Sequence, residues 1–290
     1  MGGVLLDLGA NIGAISVPFA KTGWHVISVE AGSRNVGALR ITSKLNDLDI
    51  EVLPYIVHRE TRKMQFYQNG PWGFITSEIM NLPGAELLDA FKLDDLERAA
   101  GHDVNRIDLV KIDIEGSEVA AVEGGSQFFR RYHYPPCFCE ANRWTLMAQG
   151  ENVYTLKEAF AKQGYKPYVF RDGKLVQVLD PEHEIATIVN YYFVHDDVVS
   201  HEIVADETIR IADNDYEDRV CTYIEKNQSW FDSCCKASNL VVIRQSPALM
   251  ENAKLKAYAD QLENELCEDD VLAKAIDQCY EQIARRKRTE

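Results

Sequence analysis

The sequence predicts an α/β fold, a mostly parallel sheet covered by helices on both faces. Three observations carry this expectation. Strand-like apolar runs alternate with amphipathic helical segments over roughly the first 120 residues. Several of those runs end in a carboxylate, and a glycine-rich turn follows the first of them. With 290 residues, 46% hydrophobic and 27% charged, the chain can bury one such domain and carry a smaller appendage.

Taken in order, VLLDL (4–8) and HVISVE (25–30) read as the first two strands. Between them Gly13 to Lys21 reads as a short helix closed by Gly23, with Pro18 inside it as a source of a kink. A helix over Asn35 to Leu45 precedes IEVLPYIV, read as a single third strand. KMQFYQ and WGFIT flank Asn69-Gly70-Pro71 as a hairpin, and LDDLERA (93–99) starts a helix. RIDLVKIDIEG (106–116) is an apolar strand ending in carboxylates, followed by SEVAAVEGGSQFF with helical spacing. YPPCFCEAN (134–142) is a strand, TLKEAFAKQGY (155–165) a helix, and KPYVFRDGKLVQVL a hairpin turning at Asp172-Gly173. NYYFVHDD (190–197) then completes a seven-stranded sheet and a first domain, residues 1–197. Residues 198–290 form an acidic, helix-rich C-terminal extension. Leu255, Tyr258, Leu262 and Leu266 share one helical face there, and Leu272, Ile276, Cys279 and Ile283 another, with Asp269 or Asp270 as a cap. Such helices suit self-association or a partner, and the closing ARRKR reads as a solvated helix end.

Composition excludes several classes. A net charge of -15 argues against a nucleic-acid surface, which needs clustered Lys and Arg. No run approaches eighteen apolar residues and no basic region precedes an apolar segment at the start, so no membrane span and a cytoplasmic location are expected. The seven cysteines have neither the number nor the spacing of a disulfide framework; Cys137 and Cys139 read as buried core thiols.

In such a fold ligands bind beyond the carboxyl ends of the strands, where the strand order reverses. The loop there reads Asp7-Leu8-Gly9-Ala10-Asn11-Ile12-Gly13, and Glu30 ends the second strand, placed to hold ribose hydroxyls. A dinucleotide would bring a pyrophosphate close to Asp7, which repels it, and Asn11 stands where a dinucleotide motif has its middle glycine. S-adenosylmethionine carries no phosphate; its sulfonium and ammonium are favoured by carboxylates. A nicotinamide-dependent oxidoreductase is therefore the weaker alternative. The bland alternative is a helix-capping Asp7 and a solvated Glu30.

LLDLGANIGAIS, VISVEA with Asn35, Leu39 and Asn46, LDDL, and DLVKIDIEGSEVAAVEGG together resemble the FkbM-type methyltransferases over residues 4–197. The resemblance implies a Rossmann-like methyltransferase sheet and O-methylation of a sugar or natural-product hydroxyl. It also implies that Asp7, Gly9, Asn11, Gly13 and Glu30 bind the cofactor, and that Asp113 and Glu115 face the reacting centre. Such proteins usually have a lead-in segment before the first strand, whereas this chain starts almost on it. Part of a substrate lid is then expected to be absent, which keeps an inactive scaffold as an alternative.

Methyl transfer is an in-line displacement at a sulfonium carbon, so orientation and removal of the hydroxyl proton are the protein's tasks. Asp113 at the end of the central strand is the first choice of base. Glu115 points the same way if the strand continues, and Glu140 ends the next strand. A divalent cation held by these three is the less favoured arrangement, and capping of the following helix the non-catalytic one. Glu118 and Glu123 read as solvated helix positions. Trp72 and Phe74 either wall an acceptor pocket or simply pack, and His58 is a candidate adenine contact or an ordinary strand-end histidine.

Overall fold

The computed structural model describes residues 2–69, 72–75, 84–142, 145–146, 149–179, 188–199, 204–209, 240, 244 and 253–266. Its main sheet is built from β1 (Val4–Leu8), β2 (His25–Val29), β3 (Ile50–Leu53), β8 (Leu109–Ile112), β9 (Cys137–Asn142), β10 (Tyr165–Arg171), β11 (Lys174–Val178), β12 (Ile188–His195) and β13 (Val204–Ile209). The order is β13-β11-β10-β12-β9-β8-β1-β2-β3. The five strands β3, β2, β1, β8 and β9 run parallel, whereas β12 joins β9 antiparallel and β10 and β11 continue as a hairpin. The expectation of a seven-stranded, mostly parallel sheet is thus corrected to a mixed sheet of nine. The two-residue turn at Asp172-Gly173 permits only an antiparallel neighbour, because a parallel return needs a crossover. β13, from beyond residue 197, pairs with β11.

The strand centre is buried on both faces, and Leu5, Leu6 and Leu8 have no exposed surface. The helices α1 (Ser16–Lys21), α2 (Ser33–Leu45), α3 (Leu96–Ala100), α4 (Glu118–Glu123), α5 (Ser126–Arg131) and α6 (Val153–Lys162) fall between the strands in chain order. Asn152 and Thr155 form a capping box that starts α6. Pro18 stands in the first turn of α1, where a missing N–H leaves no gap in the helical ladder.

A second sheet was not anticipated. β4 (Ile56–Val57), β5 (Lys63–Asn69), β6 (Trp72–Ile75) and β7 (Glu86–Phe91) pair in the order β4-β7-β5-β6. The run IEVLPYIV, read as one strand, is split between the two sheets. Pro54 offers no N–H to a ladder, and Tyr55 N instead donates to Leu53 O at 3.1 Å, which turns the chain. The small sheet has its own core of Ile56, Met64, Phe66, Ile75 and Ala90, with Ala31 packed against it. That contact sets it beside the end of β2.

In the expected extension, a helix α7 (Ala253–Leu266) forms, with Leu262 and Ala259 buried and Tyr258 partly so. The second helical face, Leu272 to Ile283, lies outside the described residues. No helix among the described residues is long and apolar enough to cross a membrane.

Candidate active site

The sheet order reverses between β1 and β8, and a cavity of about 440 Å³ opens there. Its wall includes Gly9, Ala10, Asn11 and Glu30 on the β1 and β2 side, and Lys111, Asp113, Glu115 and Glu140 on the other. Tyr55, Ile56 and Val57, after β3, and Phe66, Gly73 and Ile75, from the small sheet, complete it.

Local conformation shapes the first side. Gly9 has φ 78°, and a Cβ there would lie 1.7 Å from Asp113 O, so the β1 turn and the end of β8 meet backbone to backbone. Asn11 has φ 51° and supplies the left-handed residue that a glycine would supply elsewhere. Every N–H from residue 9 to residue 13 is used within the protein. Gly9 N and Ala10 N donate to Val29 O at 2.9 and 3.1 Å, and Gly13 N donates to Ala10 O at 2.8 Å. Asn11 N donates to Glu30 Oε2 and Ile12 N to Asn11 Oδ1, both at 2.8 Å.

Glu30 is buried at the cavity wall, and its Oε1 also accepts from Gly32 N at 2.7 Å and Asn35 Nδ2 at 3.3 Å. Burial raises its pKa against the pull of these hydrogen bonds and of Lys111.

Asp7 and Gly13, expected at the cofactor, do not line the cavity. Asp7 is fully buried beneath it: Oδ2 accepts from Ser16 Oγ at 2.5 Å, and Oδ1 faces Lys111 Nζ at 3.4 Å. Lys111, which sequence reasoning passed over, is the central cation. Its buried ammonium donates to Gly9 O at 2.8 Å and lies 3.3 Å from Asp113 Oδ2. Burial alone would lower its pKa, but Asp7 and Asp113 outweigh that and hold it above the usual lysine value. The available signal was a lysine inside the apolar run LVKI: a charge in a buried strand requires counter-charges.

β8 ends at Ile112, so Asp113 and Glu115 do not share an extended strand as expected. The chain turns through left-handed Glu115 (φ 50°) and Gly116 (φ 101°). Glu118, expected in solvent, is buried and holds this turn. It accepts from Ile114 N at 3.0 Å and Gly116 N at 2.9 Å. It thus holds the turn that leads into α4, whose N-cap Ser117 makes no side-chain capping bond, and Asp113 and Glu115 both lie in the cavity wall. Burial pushes Glu118 up to about 7, against the N–H groups it accepts. Glu115 is also pushed up to about 7, first by burial and then by the charges of Asp113 and Glu140, with Lys111 opposing. Burial and Asp113 raise Glu140 in the same way.

His58 does not line the cavity. Its Nδ1 accepts from Glu60 N at 3.3 Å, and burial, then Arg59 and Arg62, lower its pKa to about 4. Phe74 packs on Tyr67 with ring centroids 5.8 Å apart, and the side chain of Trp72 lies outside the described residues. Glu123 pairs with Arg59 at 3.0 Å. Cys137 and Cys139 are free and buried. Among the described residues no group of three or more His, Cys, Asp or Glu is arranged to hold a metal ion.

Fold and cavity together define a Rossmann-like α/β protein whose candidate ligand site opens at the strand-order reversal. The methyltransferase FkbM domain model matches residues 7–167, and the chain belongs to this family of S-adenosylmethionine-dependent methyltransferases. No curated relative matches it. Among solved structures it is similar to the ribosomal protein L11 methylase of Lactobacillus delbrueckii subsp. bulgaricus, at 9% identity and TM-score 0.37, over 67% of this chain and 71% of that one. It is similar to precorrin-6y C5,15-methyltransferase of Geobacter metallireducens GS-15, at 11% identity and TM-score 0.34, over 67% and 79%. A third is the magnesium protoporphyrin IX methyltransferase of Synechocystis PCC 6803 with bound SAM, at 10% identity and TM-score 0.35, over 67% and 71%. These likenesses are too distant to indicate an acceptor.

Proposed function

We propose that this chain transfers a methyl group from S-adenosylmethionine to a hydroxyl of a sugar-like or natural-product-like small molecule. The observation that carries the cofactor assignment is the loop from Gly9 to Gly13. All five of its N–H groups already have acceptors inside the protein, so none is left to cradle a pyrophosphate. A nicotinamide dinucleotide finds no seat here, whereas a nucleoside without phosphate needs none. The charge of the wall agrees: Glu30, Asp113, Glu115 and Glu140 face one ammonium, Lys111. Such a cavity favours a sulfonium and an amino group. Its volume of about 440 Å³ is that of a small-molecule site.

Glu30 is the residue to hold the ribose hydroxyls, with Tyr55, Ile56 and Val57 around the base. When bound, the cofactor supplies an electrophilic methyl group on sulfur. The acceptor hydroxyl would be aligned in line with that methyl group and would give its proton to a carboxylate of the rim. Of the two leading carboxylates, Glu115 suits the proton better than Asp113. Asp113 is tied to Lys111, whereas Glu115 titrates near neutrality, where a general base works best. Asp113 and Glu140 then orient the acceptor.

The test is calorimetric titration with S-adenosylmethionine and NAD, followed by incubation with methyl-labelled cofactor and a panel of polyols, glycosides and polyketides. Binding of S-adenosylmethionine alone, lost in Glu30→Ala, is the expected result. Binding of NAD without S-adenosylmethionine overturns the assignment.

A further inference from the structure

One wall of the cavity is controlled by a pair of residues on the small sheet. Gly73 lies on β6, an edge strand, diagonal to Phe66 on β5, where Phe66 pairs with Ile75 and Gln68 with Gly73. The Phe66 ring lies over Gly73: a Cβ at Gly73 would meet Phe66 Cζ at 2.2 Å and Cε1 at 2.6 Å. The backbone of Gly73 is not left-handed, so conformation alone permits alanine there. Only the ring requires glycine.

The ring has little freedom to yield. Phe66 is 8% exposed and packs among Ile56, Met64, Ile75 and Ala90 on its core side. Phe66 also lines the cavity, as do Ile56, Glu30 and Ala31, the residue after Glu30. Gln68, two residues on and on the same face of β5, extends this cover: a Cβ at Gly32, beside Glu30, would lie 2.9 Å from the Gln68 amide. The hairpin of β5 and β6 is therefore a roof over the nucleoside end of the site.

We propose that Phe66, seated on Gly73, is a cofactor-contacting residue, and that the missing side chain at Gly73 sets the width of the nucleoside compartment. This rests on the S-adenosylmethionine reading above. Any side chain at residue 73 drives the ring into the compartment, because packed neighbours block the other directions.

The test uses the full chain, with S-adenosylhomocysteine as probe in calorimetry and thermal melting as the check on folding. Wild-type binding comes first, and its absence refutes the cofactor reading and not this inference in particular. Given that binding, Gly73→Ala is expected to weaken S-adenosylhomocysteine by about tenfold or more, the range that overpacking produces. Phe66→Leu in the Gly73→Ala background relieves the clash, and the double variant is expected to bind within about threefold of Phe66→Leu alone. Wild-type affinity in Gly73→Ala overturns the inference. So does a double variant that melts like wild type but fails to recover binding.

Discussion

Replacing Lys111 with methionine tests how the centre of the site is held together. Methionine keeps the length and much of the packing volume of the lysine stem, so the change removes mainly a charge. Asp7, with no exposed surface, then keeps only the Ser16 hydroxyl as a polar partner at 2.5 Å, and its Oδ1 has no hydrogen bond to fall back on. Asp113 loses its counter-charge and Gly9 O its donor. Breaking a buried ion pair by removing one partner costs about 3–5 kcal/mol, a large share of the roughly 5–15 kcal/mol that holds a domain together. Urea unfolding at neutral pH should show that loss as a lower midpoint at unchanged slope. Adding Asp7→Asn to Lys111→Met removes the orphaned charge and should recover most of it. Because Asp7 and Asp113 hold Lys111 above the usual lysine value, the ammonium's contribution is fully present at neutral pH. It fades as alkali removes the ammonium proton. A loss below about 1 kcal/mol, or a double variant no more stable than the single one, would refute the central role given to this ammonium.

Glu115, pushed up to about 7, should give a carboxyl carbon resonance that titrates near neutrality, and Asp113→Asn should move that titration to lower pH by removing a neighbouring negative charge. Methyl transfer should fall as the pH drops through the same region, and Glu115→Gln should abolish that limb. Glu118 is likewise raised, from 4.5 to about 7, so its contribution to stability is full below about 4.5 and lost as the pH rises through about 7. The difference amounts to on the order of 3 kcal/mol. Unfolding curves across that range should be flatter for Glu118→Gln than for wild type, and parallel curves would contradict the burial argument. Burial also raises the thiols of Cys137 and Cys139, so iodoacetamide with peptide mapping should modify both only after denaturation.

Some of this was legible in the chain and some was not. The strands β1, β2, β8 and β9 and the turn at Gly9 are local events: an apolar run, then residues that permit a sharp turn. Glu30 likewise reads directly, because its distance from the turn is set by one helix and one strand. Glu118 was misread because helical periodicity says which residues share a face but not which neighbour covers that face. Here the covering element is a turn that needs its N–H groups accepted. Asp7 was credited with facing the ligand because its type fits a cation, yet β1 is covered on both faces and turns it toward Lys111 and Ser16.

The sequence by itself determined the α/β class, the place of the loop and the acidic character of the site, since composition, periodicity and turn chemistry are properties of neighbouring residues. Only the tertiary structure decided that Lys111 neutralises Asp7 and Asp113, and that β13 extends the sheet. It alone decided that a second sheet, started by the break at Pro54, roofs the cavity. Apart from the short step from Lys111 to Asp113, each of these joins residues far apart in the chain, and such contacts depend on which surfaces pack together, a choice that no local stretch encodes.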